Sequence, residues 1–311
     1  MTALANERVA YHNGKIMPER DVLIPFRDRG FMAGDAAFDT TRTFSHKIFK
    51  LKEHIDRLYR SLRYLQIDPQ LSPKEMSDVT EDVLARNLHL LDKQDDYWVS
   101  QRVSRGMNSD DRSPRSGNVP TVIVECQPLP LKARATLYRD GVDVYVPSVR
   151  RAAPDMISPR AKTHNYLNLI MGDLEARAHD PKAWAILLDA NGNLAEGIGS
   201  NIFLVRDGML MTPQDRFVLP GVSRATVMDL AKEIGIACVE RDIDLYDAYT
   251  ADEAFLTSTS LCICPVRSIH GRKVNHPDLP GPVTQRLIDA YIKLVSCDFI
   301  AQYRRHLDVL N

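Results

Sequence analysis

Four two-residue turn signals constrain the fold of this chain most: Asn13-Gly14, Asn191-Gly192, Asp207-Gly208 and His270-Gly271. Asn-Gly and Asp-Gly pairs readily take the positive φ of a tight hairpin turn, and each pair here sits between apolar runs. The runs are "RVAYHNGKIMP", "AWAILLDANGNLAEG", "SNIFLVRDGMLMTP" and the segment after "FLTSTSLCICPV". Helical stretches interrupt the hairpins. "EHIDRLYRSLRYLQI" places Ile55, Leu58, Leu62 and Leu65 on one stripe. Ser72 with Glu75 three residues later starts a second helix running roughly from Pro73 to Leu91. "GVSRATVMDLAKEIG" is a third, and a closing helix is predicted from about Pro282 to Arg305. Strands and helices mix without a regular βαβ repeat. The expected class is therefore α+β, with two mixed α/β domains.

The proline-containing "PLPLKARATL" divides the chain. The expected division is a small N-terminal domain over 1–129, a linker over 130–136 and a larger domain over 137–311. A formal net charge of −1 gives no reason to expect nucleic acid or an anionic membrane as partner. The opening residues lack the apolar stretch of a leader and no run reaches membrane-spanning length, so a cytoplasmic protein is expected. Five cysteines, of which only Cys262 and Cys264 are close, complete no metal set with the scattered histidines. No metal is expected.

The candidate chemistry begins with Lys162, in "SPRAKTHNYLNLIMGDLEARAHD", ahead of an amphipathic helix carrying Leu167, Leu169, Ile170, Leu174 and Ala178. A lysine at a helix entrance is usually a surface charge. A lysine with a lowered pKa is a nucleophile that forms Schiff bases. "LPGVSRATVMDL" begins a helix after Pro220-Gly221, and helix N-termini bind phosphate through backbone N–H groups. There Ser223 reads equally as a plain N-cap. The hydroxyl run "TSTSLC" could donate to phosphate oxygens or simply end a strand. Glu196, in "AEGIGSNIFLV", ends a buried hairpin strand and needs a partner; a protonated heterocyclic nitrogen or a structural arginine would serve equally. The basic stretch "RRAAPDMISPRAK" suits a local anion site, and Arg57 reads alone as a charge on its helix. Together, one lysine, one acid, one arginine and two phosphate-like cradles describe a pyridoxal phosphate pocket.

In order along nearly the whole chain, "DRGFMAGDAAFDTTR", "EHIDRL", "VSRG", "AKTHNYLN", "LAEGIGSNIFLV", "LPGVSR" and "FLTSTSLCICPV" resemble the fold-type IV pyridoxal-phosphate enzymes. That group comprises branched-chain aminotransferases, D-amino acid transaminases, (R)-selective amine transaminases and aminodeoxychorismate lyases. The resemblance implies the D-amino acid aminotransferase-like architecture with the cofactor between two domains, and a homodimer. It implies that Lys162 forms the Schiff base and shuttles a proton, and that Glu196 faces the pyridine nitrogen. Arg57, the N–H groups of Val222 and Ser223, and Thr259 correspond to the phosphate contacts. Leu219 corresponds to the apolar residue under the ring, and Tyr166 to a tyrosine near the cofactor's phenolic oxygen.

The implied reaction moves an amino group between an amine or amino acid donor and a keto acid such as pyruvate or 2-oxoglutarate. Substrate contacts are expected from "FDTTRTF" and its neighbour strand: Phe38, Thr40, Arg42 and Arg102, with Arg29 and Arg112 as further carboxylate partners. Thr40 stands where branched-chain enzymes carry a glycine, which narrows that side, and "SVRR…ISPRAK" and "LPGPVTQRLIDAYIKL" resemble amine transaminases; the expected specificity is for an (R)-amine or D-amino acid, or branched-chain-like. Asp110 and Arg112 stand where D-amino acid transaminases trap a carboxylate with an arginine and a histidine. An aminodeoxychorismate lyase is the alternative enzyme, and a non-catalytic cofactor-binding protein the alternative of another class.

Overall fold

The computed structural model describes residues 6–107 and 119–307. It divides into two compact units, one of residues 1–129 with Ala161–Asn165, the other of Pro130–Arg160 with Tyr166–Asn311. The short Lys162 segment thus clusters with the first unit although it follows the first 31 residues of the second.

Unit 1 is built on β1 (Val9–His12), β2 (Lys15–Pro18), β3 (Ala36–Phe44), β4 (Lys47–Ile48), β5 (Tyr97–Met107) and β6 (Val119–Pro128). They form one sheet in the order β2-β1-β6-β5-β3-β4, with every pairing antiparallel. A short α1 (Arg29–Ala33) precedes β3, and α2 (Leu51–Leu65) and α3 (Pro73–Asn87) follow β4. Ser72 and Glu75 make the expected reciprocal capping box at the start of α3. Ile55, Leu58 and Leu62 from α2 and Met76, Val83 and Leu84 from α3 pack on Ala37, Val99, Val103, Val122 and Val124. Side chains alternate along a strand, so Phe38, Thr40, Ser100, Arg102 and Glu125 belong to the sheet face turned from this core. Across β3 and β5, Phe38 stands opposite Arg102 and Thr40 opposite Ser100.

Unit 2 starts with two single-turn helices, α4 (Leu131–Arg134) and α5 (Leu137–Asp140). Its strands are β7 (Val142–Tyr145), β8 (Trp184–Ala185), β9 (Asn201–Arg206), β10 (Met209–Pro213), β11 (Cys238–Arg241), β12 (Glu253–Ser258), β13 (Cys262–Ile269) and β14 (Arg272–Lys273). The order is β11-β10-β9-β12-β13-β7-β8, with β14 on β13. Parallel pairs at β10/β11, β13/β7 and β7/β8 make this sheet mixed. Its helices are α6 (Leu167–His179), α7 (Val222–Glu233), α8 (Leu245–Tyr249), α9 (Pro282–Val295) and α10 (Phe299–Arg304).

Three local expectations are corrected. The hairpin around Asn191-Gly192 is irregular beyond β8, held by a Leu188–Leu194 bridge rather than a ladder. The cause is Asp189, whose carboxylate accepts from the N–H groups of Asn191 and Asn193 and curls the chain early. The closing helix is two helices: Ser296 takes φ +50° after α9 and Asp298 caps α10 by accepting from Ala301 N–H at 2.9 Å. On α6 the apolar stripe faces outward. Leu169, Gly172 and Ala176 are buried, whereas Leu167, Ile170, Leu174 and Ala178 are exposed. A Cβ at Gly172 would stand 2.8 Å from the Leu187 side chain, so the inward face is the one with small residues.

Candidate active site

Lys162 sits in extended backbone laid along β3. Its carbonyl accepts from Phe38 N–H at 3.0 Å, His164 N–H donates to the Ala36 carbonyl at 2.9 Å, and Thr163 bridges Ala37. Lys162 N–H donates to Ser61 Oγ at 3.0 Å, while the same hydroxyl donates to the Arg57 carbonyl at 3.0 Å. One buried serine therefore ties the lysine's main chain to the turn of α2 that carries Arg57. The Lys162 ammonium lies 4.5 Å from the Phe38 ring centroid, and the Arg102 guanidinium 5.3 Å from the same ring. His164 meets Phe38 edge-on, with ring centroids 5.3 Å apart. Phe38 is the hub of this wall.

Arg57 is no surface charge. Its side chain is 4% exposed, and Nε and Nη2 donate to the two oxygens of Asp39, each at 2.8 Å. His54 Nδ1 lies 2.7 Å from Asp39 Oδ1. Burial alone would push the Asp39 carboxyl up, but Arg57 and His54 beside it hold it well below the usual carboxylate range. Burial, with Arg57 and Lys162 nearby, pushes His54 down against the pull of Asp39. The arginine fork is fixed in direction before any ligand arrives.

Of the expected substrate contacts, Arg42 is placed elsewhere than on an open wall. It is 1% exposed, donates from Nε to the Thr43 carbonyl, lies 3.5 Å from Asp96 and stacks 4.0 Å from the Phe44 centroid. Asp96 also accepts from Thr43 Oγ1 and the N–H groups of Ser45 and His46, so this cluster closes the β3–β4 hairpin. Arg29 pairs with Asp35 at 2.9 Å. Arg102 pairs with Glu125 at 2.8 Å and keeps 38% of its side chain exposed. Thr40 Oγ1 shares a 2.9 Å hydrogen bond with Ser100 Oγ. Asp110 and Arg112 lie outside the described residues.

In unit 2 the buried Glu196 has its partner in a structural arginine. Arg151 Nε donates to one carboxylate oxygen at 2.9 Å, and Leu219 N–H donates to the other at 2.9 Å. Arg151 lies in the basic stretch that suggested an anion site, and one anion it meets is Glu196. Asn168 on α6 holds that stretch by accepting from Ala152 N–H and donating to the Arg150 carbonyl. Two aligned donors orient the acid, and a carboxylate retains further acceptor positions for a cationic nitrogen.

Gly221, not Ser223, is the N-cap of α7, and no side chain caps this helix. Ser223 is the second helical residue and is buried. Asn201 holds the entry turn by donating Nδ2–H to the Leu219 carbonyl at 3.1 Å. It packs so close that a Cβ on Gly221 would lie 2.2 Å from Asn201 Oδ1. A side chain at this position would force Asn201 to shift. Thr259 lies in the turn that joins β12 to β13, and Tyr166 precedes α6, packed with Tyr145 and Val149 on the Leu169–Ala176 cluster.

The chain as a whole is similar to known proteins. The family described as class IV amino-transferases matches residues 36–269. The chain belongs to the class IV aminotransferases. A relative from Methanocaldococcus jannaschii, "Putative branched-chain-amino-acid aminotransferase", is 38% identical over 90% of this chain and 94% of its own. The crystal structure of the Escherichia coli branched-chain amino acid aminotransferase superposes with a TM-score of 0.84 at 31% identity, over 93% of this chain and 95% of that one. A T.th. branched-chain amino acid aminotransferase, complexed with N-(5'-phosphopyridoxyl)-L-glutamate, gives 0.82 at 26% identity, over 93% and 94%. This class IV enzyme is a transaminase that depends on pyridoxal phosphate, which sets aside the lyase and non-catalytic alternatives. The donor set fits the cofactor: an amine for its aldehyde, a buried oriented acid for its pyridinium, and an uncapped helix N-terminus for its phosphate.

Among the described residues, no group of three or more acidic, histidine or cysteine side chains could hold a metal, and no helix is long and apolar enough to cross a membrane.

Proposed function

We propose that Lys162 is the covalent anchor and proton carrier of this transaminase, and that its substrates are a branched aliphatic amino acid and a keto acid acceptor. The observation that carries the first half is the seating of Lys162: an amine against the Phe38 ring, with its main chain pinned by β3 and Ser61. Glu196 would face the pyridine nitrogen, with Arg57, Val222, Ser223 and Thr259 holding the phosphate. Leu219 would lie under the ring, and Tyr166 beside its phenolic oxygen. When bound, pyridoxal phosphate supplies the electron sink that stabilises a carbanion at the substrate α-carbon. Glu196, aligned by Arg151, holds a proton on the facing nitrogen. Lys162 Nζ would take up the substrate α-proton and hold it for return.

The branched-chain half rests on the names of the relatives, which span nearly the full chain. Thr40 favours a second reading, an (R)-amine or D-amino acid donor, because its side chain stands beside Phe38 on the same face. Phe38, Thr40 and Arg102 are the wall that would meet the substrate.

A homodimer is part of the same proposal. Unit 1 exposes Phe26, Phe31 and Met32 at 72%, 75% and 68%, and unit 2 exposes Leu167 and Leu174 at 69% and 55%. Exposed apolar side chains of this size support association. Sedimentation should give twice the 35.1 kDa chain mass; a monomer at micromolar concentration defeats the dimer. Cytoplasmic location is supported by five free thiols, three of them buried.

Borohydride treatment of the coloured protein, followed by peptide mass spectrometry, tests the anchor. The pyridoxyl adduct should map to Lys162, and Lys162→Ala should lose turnover by a factor of roughly 10³ or more while still binding cofactor. An adduct on another lysine defeats the assignment. A donor panel with pyruvate and 2-oxoglutarate decides between the two substrate readings.

A further inference from the structure

The turn carrying Thr259 is held from beneath by groups that the transamination chemistry does not use. Tyr138, on α5, donates its hydroxyl to the Leu261 carbonyl at 2.5 Å, and Tyr303, on α10, donates to the Ser260 carbonyl at 2.7 Å. The two rings stack with centroids 4.5 Å apart and are buried, 8% and 0% exposed. Phe299 packs edge-on against Tyr138. Arg134, on α4, donates to Ser260 Oγ. Three side chains from opposite ends of the unit's sequence thus converge on two consecutive residues.

The backbone at this turn calls for such support. Cys262, fully buried and bearing a Cβ, takes φ +56°. A non-glycine residue persists in the left-handed region only when its surroundings over-determine it, and such sites cluster at ligand clamps. Phenylalanine would fill the same aromatic core equally well. The two hydroxyls add direction, fixing where the carbonyls point and hence which way the opposite edge of the turn presents its groups.

We propose that Tyr138 and Tyr303, assisted by Arg134, are positioning residues that set the enzyme's grip on the cofactor phosphate by locking the Thr259–Cys262 turn. This rests on the reading of Thr259 as a phosphate contact. The grip is then selective: it acts on the phosphate and leaves the lysine's reaction with an aldehyde untouched.

The test compares apoenzyme binding of pyridoxal phosphate with that of pyridoxal, which lacks the phosphate, in wild type and Tyr138→Phe/Tyr303→Phe. The double variant should bind pyridoxal phosphate about tenfold more weakly, the equivalent of about 1.4 kcal/mol, and pyridoxal as wild type does. Unchanged phosphate-ester affinity, or equal losses for both ligands, overturns the proposal. Should the double variant not fold, Tyr303→Phe and Arg134→Gln carry the same comparison, each with a smaller loss confined to the phosphorylated ligand. Thr259→Val separates the two levels. If it weakens pyridoxal phosphate binding while the tyrosine variants do not, only the buttress falls. If none of them weakens it, the phosphate reading of this turn falls as well.

Discussion

The candidate anion partners in the two units work by opposite means. Arg57 in unit 1 is a full charge on a long side chain, buried and braced by Asp39 and His54. The start of α7 in unit 2 offers main-chain N–H groups and a helix dipole, with no capping side chain, shaped by Gly221 and Asn201. A braced charge is strong and directional, but its removal leaves an uncompensated ion inside the protein. Backbone donors need no counter-ion; their weakness is geometric, since only the shape of the turn keeps them aimed. The first design couples ligand binding to the stability of its unit, and the second largely separates them.

Asp39→Asn should show the largest effect. Arg57 would keep its burial and lose its carboxylate, a change that costs on the order of 3–5 kcal/mol in comparable buried pairs. Denaturant titration of the apoenzyme should show that loss before any cofactor is added. A variant as stable as wild type would mean that the Asp39–Arg57 pair is not what holds this charge, and the contrast between the units would fail.

Gly221→Ala should cost about 1–3 kcal/mol, in cofactor affinity far more than in unfolding. The new methyl meets Asn201 Oδ1 and must drive Asn201 off the Leu219 carbonyl. Adding Asn201→Ala removes the clash and should restore part of the affinity, a coupling that a double-mutant cycle reads directly. Independent, additive losses would show that Asn201 does not shape the entry turn.

What the sequence revealed follows the same divide. The Ser72–Glu75 cap and the four turns were legible because each depends on residues a few positions apart. The partner of Glu196 was not, because Arg151 lies 45 residues away and meets it only through the fold. The Asp39–Arg57 pair was missed for the same reason, at a separation of 18. Periodicity found a stripe on α6 but not its direction, since an exposed apolar face and a core face have the same spacing. Ser223 read as an N-cap because it is the capping residue type; the helix begins earlier, with Gly221 as its N-cap.

The last effect depends on acid, and it also belongs to unit 1. His164 is packed against Phe38, and its Nε2 is buried without a hydrogen-bond partner among the described residues. Burial, then Arg102 and Lys162, outweigh the pull of Asp28 and bring its pKa down to about 4 from the ordinary 6.5. Between those values the unfolded chain binds a proton that the folded one refuses. The stability this histidine contributes is therefore complete above about pH 6.5 and is lost as pH falls toward 4, about 1 kcal/mol of it near pH 6 and about 3 kcal/mol near pH 4. His164→Asn removes the titration while keeping a polar group of similar reach. Measured by denaturant titration across this range, its stability should decline less steeply with acid than that of wild type. Parallel declines would place the acid sensitivity of unit 1 on His54 or on carboxylates, and remove His164 from the side chains that distinguish the two halves of the enzyme.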